Sequence, residues 1–177
     1  EAAVQFYMTQ MKVRRRQLVC DLLKDPQAGV TLQAGAMQWM VGDVLCTTGI
    51  KGAGDLVSKA MRGKVTGESA IKPEYSGSGL LITEPTYKHL MLVDLDDWNG
   101  GIVVDDGLFL ACDSAIKHKA VMRSNISSAL AGGEGLFNLS MFGHGIICLE
   151  LKCPEEELIV VDPKNDVIKL DGNMAVA

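Results

Sequence analysis

One stretch of this chain is used twice, and that repetition limits the possible folds more than any other feature. Gly67, Glu68, Gly77 and Gly79 fall 66 residues before Gly133, Glu134, Gly143 and Gly145. The later copy, GGEGLFNLSMFGHGIICLE at Gly132–Glu150, reads as strand, tight turn, strand. Leu136–Met141 alternate imperfectly, Gly143-His144-Gly145 supplies the turn, and Ile146–Leu151 is an apolar run broken by one charge. The pattern predicts a hairpin with Phe137 and Ile147 turned into the core. Ile71 is the counterpart of Phe137 in the earlier copy.

A second periodicity runs beside the first. Gly35, Gly107 and Gly172 lie 72 and 65 residues apart. Each has an aliphatic residue five places before it (Val30, Ile102, Val167) and an apolar one two places after (Met37, Phe109, Met174). A glycine held at a fixed place between short strands predicts a position with φ > 0, or one without room for a Cβ. The two full copies differ in length within one arm, Gly42–Thr66. That arm holds a helix-compatible piece, Asp55–Met61, matched by Ser124–Leu130 in the next copy. The copies close on apolar strands at Leu90–Leu95 and Leu158–Val161.

Short strands and glycine turns in units of about 65–72 residues predict an all-β stack with a shared core. The mixed polar and apolar strand faces predict antiparallel pairing. Residues 1–16 form an N-terminal segment in which Val4, Met8 and Met11 suit one helix face and Gln5-Phe6-Tyr7 suits the start of a strand. Gln17–Leu23 reads as a strand and Lys24–Gln27 as a turn. Residues 17–177 then form one β domain of tandem units, about 17–95, 96–161 and a partial 162–177.

Three segments carry a family resemblance: GAMQWMVGDV at Gly35–Val44, GLFLACDSAI at Gly107–Ile116 and GGEGLFNLSMFGHG at Gly132–Gly145. They resemble the altered-inheritance-of-mitochondria (mitochondrial biogenesis) family, long catalogued as a domain of unknown function, over about Gln17 to Ala177. The resemblance implies a fold similar to tandem copies of the trp RNA-binding attenuation protein (TRAP-like), a short double-stranded β-helix. His144 departs from the family, where proline is more usual between the two glycines, and members usually run further through a third repeat. The resemblance supplies no catalytic residues.

The 177 residues are 47% apolar and 22% charged with a net charge of −5. That balance speaks against a non-specific nucleic-acid binder, so no DNA is expected as a partner. No apolar stretch reaches the roughly 18 residues of a membrane span. No signal-peptide core precedes Arg14–Arg16. The five cysteines, Cys20, Cys46, Cys112, Cys148 and Cys153, form an odd set without metal spacing. They read as reduced, mostly buried thiols, which suits a cytoplasmic protein.

The search for chemistry returns structural readings throughout. A cupin-like metal centre wants two histidines and a carboxylate, with a close His-x-His. His89, His118 and His144 are isolated in sequence and would have to converge in space. Asp94–Gly101 superficially resembles a calcium loop, but Trp98 stands where an oxygen ligand is needed and Asn99 where the turn wants glycine. Asp162–Asp166 holds the same place in the next copy, which favours a turn. Gly52-Ala53-Gly54 lacks the third glycine of a dinucleotide loop, and Gly63-Lys64 is followed by Val65, unlike a P-loop. Gly77-Ser78-Gly79 is too short for a nucleophile elbow. Glu155–Glu157 reads as a solvated strand entrance, and Arg14–Arg16 as a charged edge.

No catalytic, cofactor-binding or metal residue is assigned, and no cofactor is expected. The favoured reading is a non-enzymatic β-scaffold for self-assembly or partner binding. The alternatives are a small-ligand or RNA-binding module, by fold analogy, and a cupin-like metalloenzyme. A clustered basic face of Arg14–Arg16, Lys117 and Lys119 would favour RNA. The expected assembly is a closed homo-oligomer, a trimer first and a dimer next, with an interface at Val167–Ala177.

Overall fold

The computed structural model describes residues 4–11, 14–23, 25, 27–47, 72–122, 137–169 and 175–177. Among them the fold is all-β, with short 3-10 turns and no α-helix. The strands are β1 (Gln5–Gln10), β2 (Arg16–Asp21), β3 (Gly29–Leu32), β4 (Met37–Thr47), β5 (Glu74–Thr83) and β6 (His89–Asp94). They continue with β7 (Gly101–Asp105), β8 (Phe109–Asp113), β9 (Lys117–Met122), β10 (Phe137–Phe142) and β11 (Ile146–Leu151). The helix-compatible pieces Asp55–Met61 and Ser124–Leu130, and Ile71, lie outside the described residues.

Every strand pair is antiparallel. The larger sheet runs β1-β2-β5-β3-β8-β11-β6, with β4 beside β5; a smaller one runs β7-β10-β9. Of the two readings of the N-terminal segment, the strand is the one found: β1 pairs with β2 from Gln5↔Asp21 to Gln10↔Arg16.

The pairing itself repeats. In the first unit, β2–β5, Val30 faces Tyr75, and Tyr75 faces Cys46 on its other side. In the second unit, β6–β11, Ile102 faces Met141, and Met141 faces His118. Likewise Cys20 and Met40 flank Leu81, as Val93 and Cys112 flank Ile147. Each unit builds its own core from these positions. Cys20, Leu22, Val30, Leu32, Tyr75 and Leu81 belong to one buried cluster; their counterparts Val93, Leu95, Ile102, Val104, Met141 and Ile147 belong to the other.

The predicted hairpin is corrected. Its two strands stand where expected, as β10 and β11, but they do not pair, because they lie in different sheets. β10 lies between β7 and β9, and β11 between β6 and β8. The turn at Gly143–Gly145 moves the chain from one sheet to the other without reversing it onto itself. The first unit shows what the two strands are. There β5 is continuous, its first half beside β3 and its second beside β2. β10 and β11 are the two halves of that one path, cut at the turn. Ile147 is fully buried, as predicted; the Phe137 side chain lies outside the described residues.

The glycines at the bend differ in what they make room for. A Cβ on Gly79 would collide with the Val41 carbonyl oxygen, because β4 and β5 run as one bent ribbon. A Cβ on its counterpart Gly145 would come within 2.5 Å of Asp113 Oδ2. The turn-glycine expectation holds at Gly35, with φ +81. Gly107 does not share the positive φ: it sits in a 3-10 turn and donates its N–H to Asp105 Oδ1 at 2.9 Å. Gly172 lies outside the described residues. Leu158–Val161 and Val167–Lys169 are not in strands. A strand requires a neighbour, and neither segment has one among the described residues.

Candidate functional site

The three histidines do not converge. His89 opens β6 opposite Leu151, whereas His144 immediately precedes the turn glycine before Ile146, which faces Asp94 at the other end of β6. Six residues of β11 separate the two ends, about 17 Å at the rise of an extended strand. His118 lies on β9 in the smaller sheet, stacked on Phe109 with ring centroids 6.4 Å apart. His144 Nδ1 is 2.5 Å from Asp96 Oδ1 in an exposed pair at the turn. Among the described residues, no three His, Cys, Asp or Glu side chains are grouped to hold a metal ion.

The acidic loop is a turn device that recurs along the described residues. Asp94 Oδ1 accepts the Asp96 N–H at 3.0 Å and caps a 3-10 turn, Leu95–Trp98. Asp21 Oδ1 accepts the Leu23 N–H at 2.9 Å and Asp162 Oδ1 the Lys164 N–H at 3.0 Å. A carboxylate that bonds its own backbone two residues on stabilises the turn. Glu155–Glu157 form an exposed 3-10 turn.

The basic residues are divided between the sheets. Arg16 leads into β2 and exchanges backbone hydrogen bonds with Thr86, and the Arg15 guanidinium lies 5.6 Å from the centre of the Tyr87 ring. Lys117 and Lys119 are on β9, in the other sheet. Cys20, Cys112 and Cys148 are buried and free. Burial, and next the Asp113 carboxylate, pushes the Cys112 thiol up to about 12. Burial likewise raises the Cys20 and Cys148 thiols. A thiol held protonated is a poor nucleophile. Gly77-Ser78-Gly79 lies inside β5 opposite β4. Gly52–Gly54 and Gly63-Lys64 lie outside the described residues.

What stands out is an edge. β4 is 11 residues long and pairs along its length with β5. Among the described residues its other side pairs with nothing. Trp39 is 50% exposed, Met40 41%, Val41 53% and Leu45 65%. Successive residues of a strand point to opposite faces, so both faces of this ribbon are apolar. Edge strands usually carry lysine, proline or a very short length that discourages pairing. β9 carries Lys117 and Lys119, and β1 carries Gln5, Thr9 and Gln10. β4 carries one charge, Asp43, beside the bend at Gly42, with the polar residues Gln38 and Thr47 near its ends. Neither β-propensity nor glycine spacing marks this edge in the sequence. The run MQWMV, apolar at four of five positions, was a visible signal.

The first half of β4 has a counterpart, β8, whose surroundings are different. All five residues of β8 are buried, because β3 pairs on one side and β11 on the other. β3 itself belongs to the preceding unit. The first unit therefore lends a strand to the second, and among the described residues nothing holds the equivalent place beside β4.

Among solved structures, the fold is similar to the X-ray crystal structure of a Streptococcus pyogenes protein, at a TM-score of 0.64 and 27% sequence identity. The match covers 85% of this chain and 66% of that one, so the chain spans just under two thirds of its neighbour's length. No curated protein matched the chain significantly. The description of the mitochondrial biogenesis family AIM24 fits residues 11–177, which include all of the repeat-bearing sequence, and the chain belongs to that family.

Proposed function

We propose that this protein is a non-enzymatic β-scaffold that acts by self-assembly and partner binding through the open edge of β4. The observation that carries the reading is the length and apolar character of that edge, exposed where its counterpart is buried. An unpaired row of backbone donors and acceptors, flanked by Trp39, Met40 and Val41, is a template for another strand. The reading takes residues 17–177 as one domain of tandem TRAP-like units arranged as a double-stranded β-helix. Its support is the register repeated between the first and second units. The assembly is a closed homo-oligomer, a trimer first and a dimer next. Three buried free thiols suit a reducing compartment such as the cytoplasm. No helix among the described residues is long and apolar enough to cross a membrane.

Light scattering coupled to gel filtration tests the reading. A mass of two or more chains at tens of micromolar is expected, and Trp39→Ser should return it to one. A monomer mass for the unaltered chain overturns self-assembly. About one zinc, iron, manganese or nickel per chain in untagged protein would transfer support to a metalloenzyme.

A further inference from the structure

The strand that the first unit lends to the second has a defined register. β3 meets β8 with Val30 opposite Asp113, Thr31 opposite Cys112 and Leu32 opposite Ala111. The places of Asp113, Cys112 and Ala111 in the first unit are Val41, Met40 and Trp39, 72 residues earlier. These lie on the open edge of β4. The lent strand also has a later counterpart. The aliphatic position five before each turn glycine is Val30, then Ile102, then Val167. Val167–Lys169 thus holds the place of β3 once more. Val167 is 81% exposed and Ile168 45%. The turn before the segment is of the repeat's own kind, with Asp162 accepting the Lys164 N–H as Asp21 and Asp94 accept theirs. Among the described residues, one molecule therefore presents an unpaired segment in the place of β3 at one end and an unpaired edge of matching register at the other.

We infer that Val167–Lys169 of one copy of this chain pairs with the outer edge of β4 in a second copy. Val167 then faces Val41, Ile168 faces Met40 and Lys169 faces Trp39. The occupant is a second molecule because the segment is anchored on both sides within its own second unit. Leu158 before it and Val176 after it pack against the second buried cluster, whereas Met37 and Val44 of β4 pack with the first. The contact joins unlike surfaces, head to tail, so it closes into a ring or grows into a fibre according to the rotation it imposes. Pairing covers the apolar edge and gives the exposed aliphatic residues Val167 and Ile168 a neighbour. This inference rests on the scaffold reading and specifies its interface.

The test is a cross-link between two singly substituted chains. In a background with Cys46→Ser and Cys153→Ser, which leaves the three buried thiols, Met40→Cys and Ile168→Cys are made separately, mixed and mildly oxidised. Both sites are on the surface, and circular dichroism checks that each variant keeps the fold. A disulfide needs closely opposed Cβ atoms, so the mixture should give about tenfold more covalent dimer than either variant alone. Dimer from Met40→Cys alone would mean that two β4 edges meet each other, and overturns the proposal. A chain carrying both substitutions that closes only on itself, migrating as a compact monomer, also overturns it. If no cross-link forms while light scattering still reports an oligomer, this interface is wrong and the scaffold reading stands. No cross-link together with a monomer mass removes both.

Discussion

Residues 37–41 and 109–113 hold the same place in successive units, yet one segment faces solvent and the other is fully buried. Their pairing with the following strand is the same, down to a shift in register between Met37 and Trp39 in one and between Cys148 and Leu149 in the other. The difference is a neighbour. β8 has β3 on its far side and β4 has none. A second contrast accompanies the first. The first unit keeps β4 and β5 as one bent ribbon, whereas the second divides the same path into β8 and β9, and β10 and β11. At that division Asp113 replaces the valine of the first unit, and its carboxylate accepts the Ile146 N–H at 2.6 Å. A unit of this repeat does not cover its own edge. Its pairing rule is local, but its burial depends on a strand from the preceding unit.

The largest test of the equivalence lies in the two cores. Leu81 and Ile147 are fully buried at matching places. Truncating either to alanine should cost about 2–5 kcal/mol, the range for large-to-small changes in packed cores. Urea denaturation measures both, and a near-zero loss at one site alone would break the equivalence. Phe137→Ala sharpens it further: a comparable loss would place Phe137 on the inward side of β10 with Leu139 and Met141, which are buried.

The bend comes next. Gly79→Ala forces a Cβ against the Val41 carbonyl and should cost about 1–3 kcal/mol, the scale of overpacking. At Gly35 nothing lies within 4 Å of an added Cβ. Gly35→Ala should therefore carry only the strain of positive φ, about 1–2 kcal/mol. Thermal melting should rank Gly79→Ala as the more damaging.

Asp113 distinguishes the second unit through pH. Burial, opposed by the Ile146 hydrogen bond and assisted by Asp94, raises its carboxyl above the ordinary 3.8. The folded state then holds the proton more tightly than the unfolded one. Stability should fall as pH rises from 3.8 through the raised value and level off above it. Asp113→Asn, which keeps an acceptor for Ile146, should flatten that slope. Asp113→Ala leaves the N–H without its partner and should lose about 1–3 kcal/mol. A slope unchanged by Asp113→Asn would place the titration elsewhere.

The smallest expected effect on folding is at β4. Met40→Ser and Trp39→Ser should change stability by about 0.5 kcal/mol or less, as surface substitutions do, while reducing self-association. His144→Pro should leave the melting curve close to unaltered, because His144 sits exposed at the turn.

The repetition of glycines and aliphatic residues was enough to establish an all-β chain with two like units, because alternation and turn chemistry act within a few residues of each other. It also indicated that Ile147 faces inward and that the Asp94 and Asp162 loops are turns. It could not say which strands adjoin. Alternation orients side chains toward a face, but it does not choose the partner on either edge, so β10 and β11 looked like a hairpin and proved to belong to two sheets. Nor could it tell β4 from β8. Both read as apolar strands after a turn glycine, and only the placement of β3 against β8, across the boundary between units, buries one and leaves the other open. Burial is a property of the neighbour brought up by the fold, and no local pattern contains it.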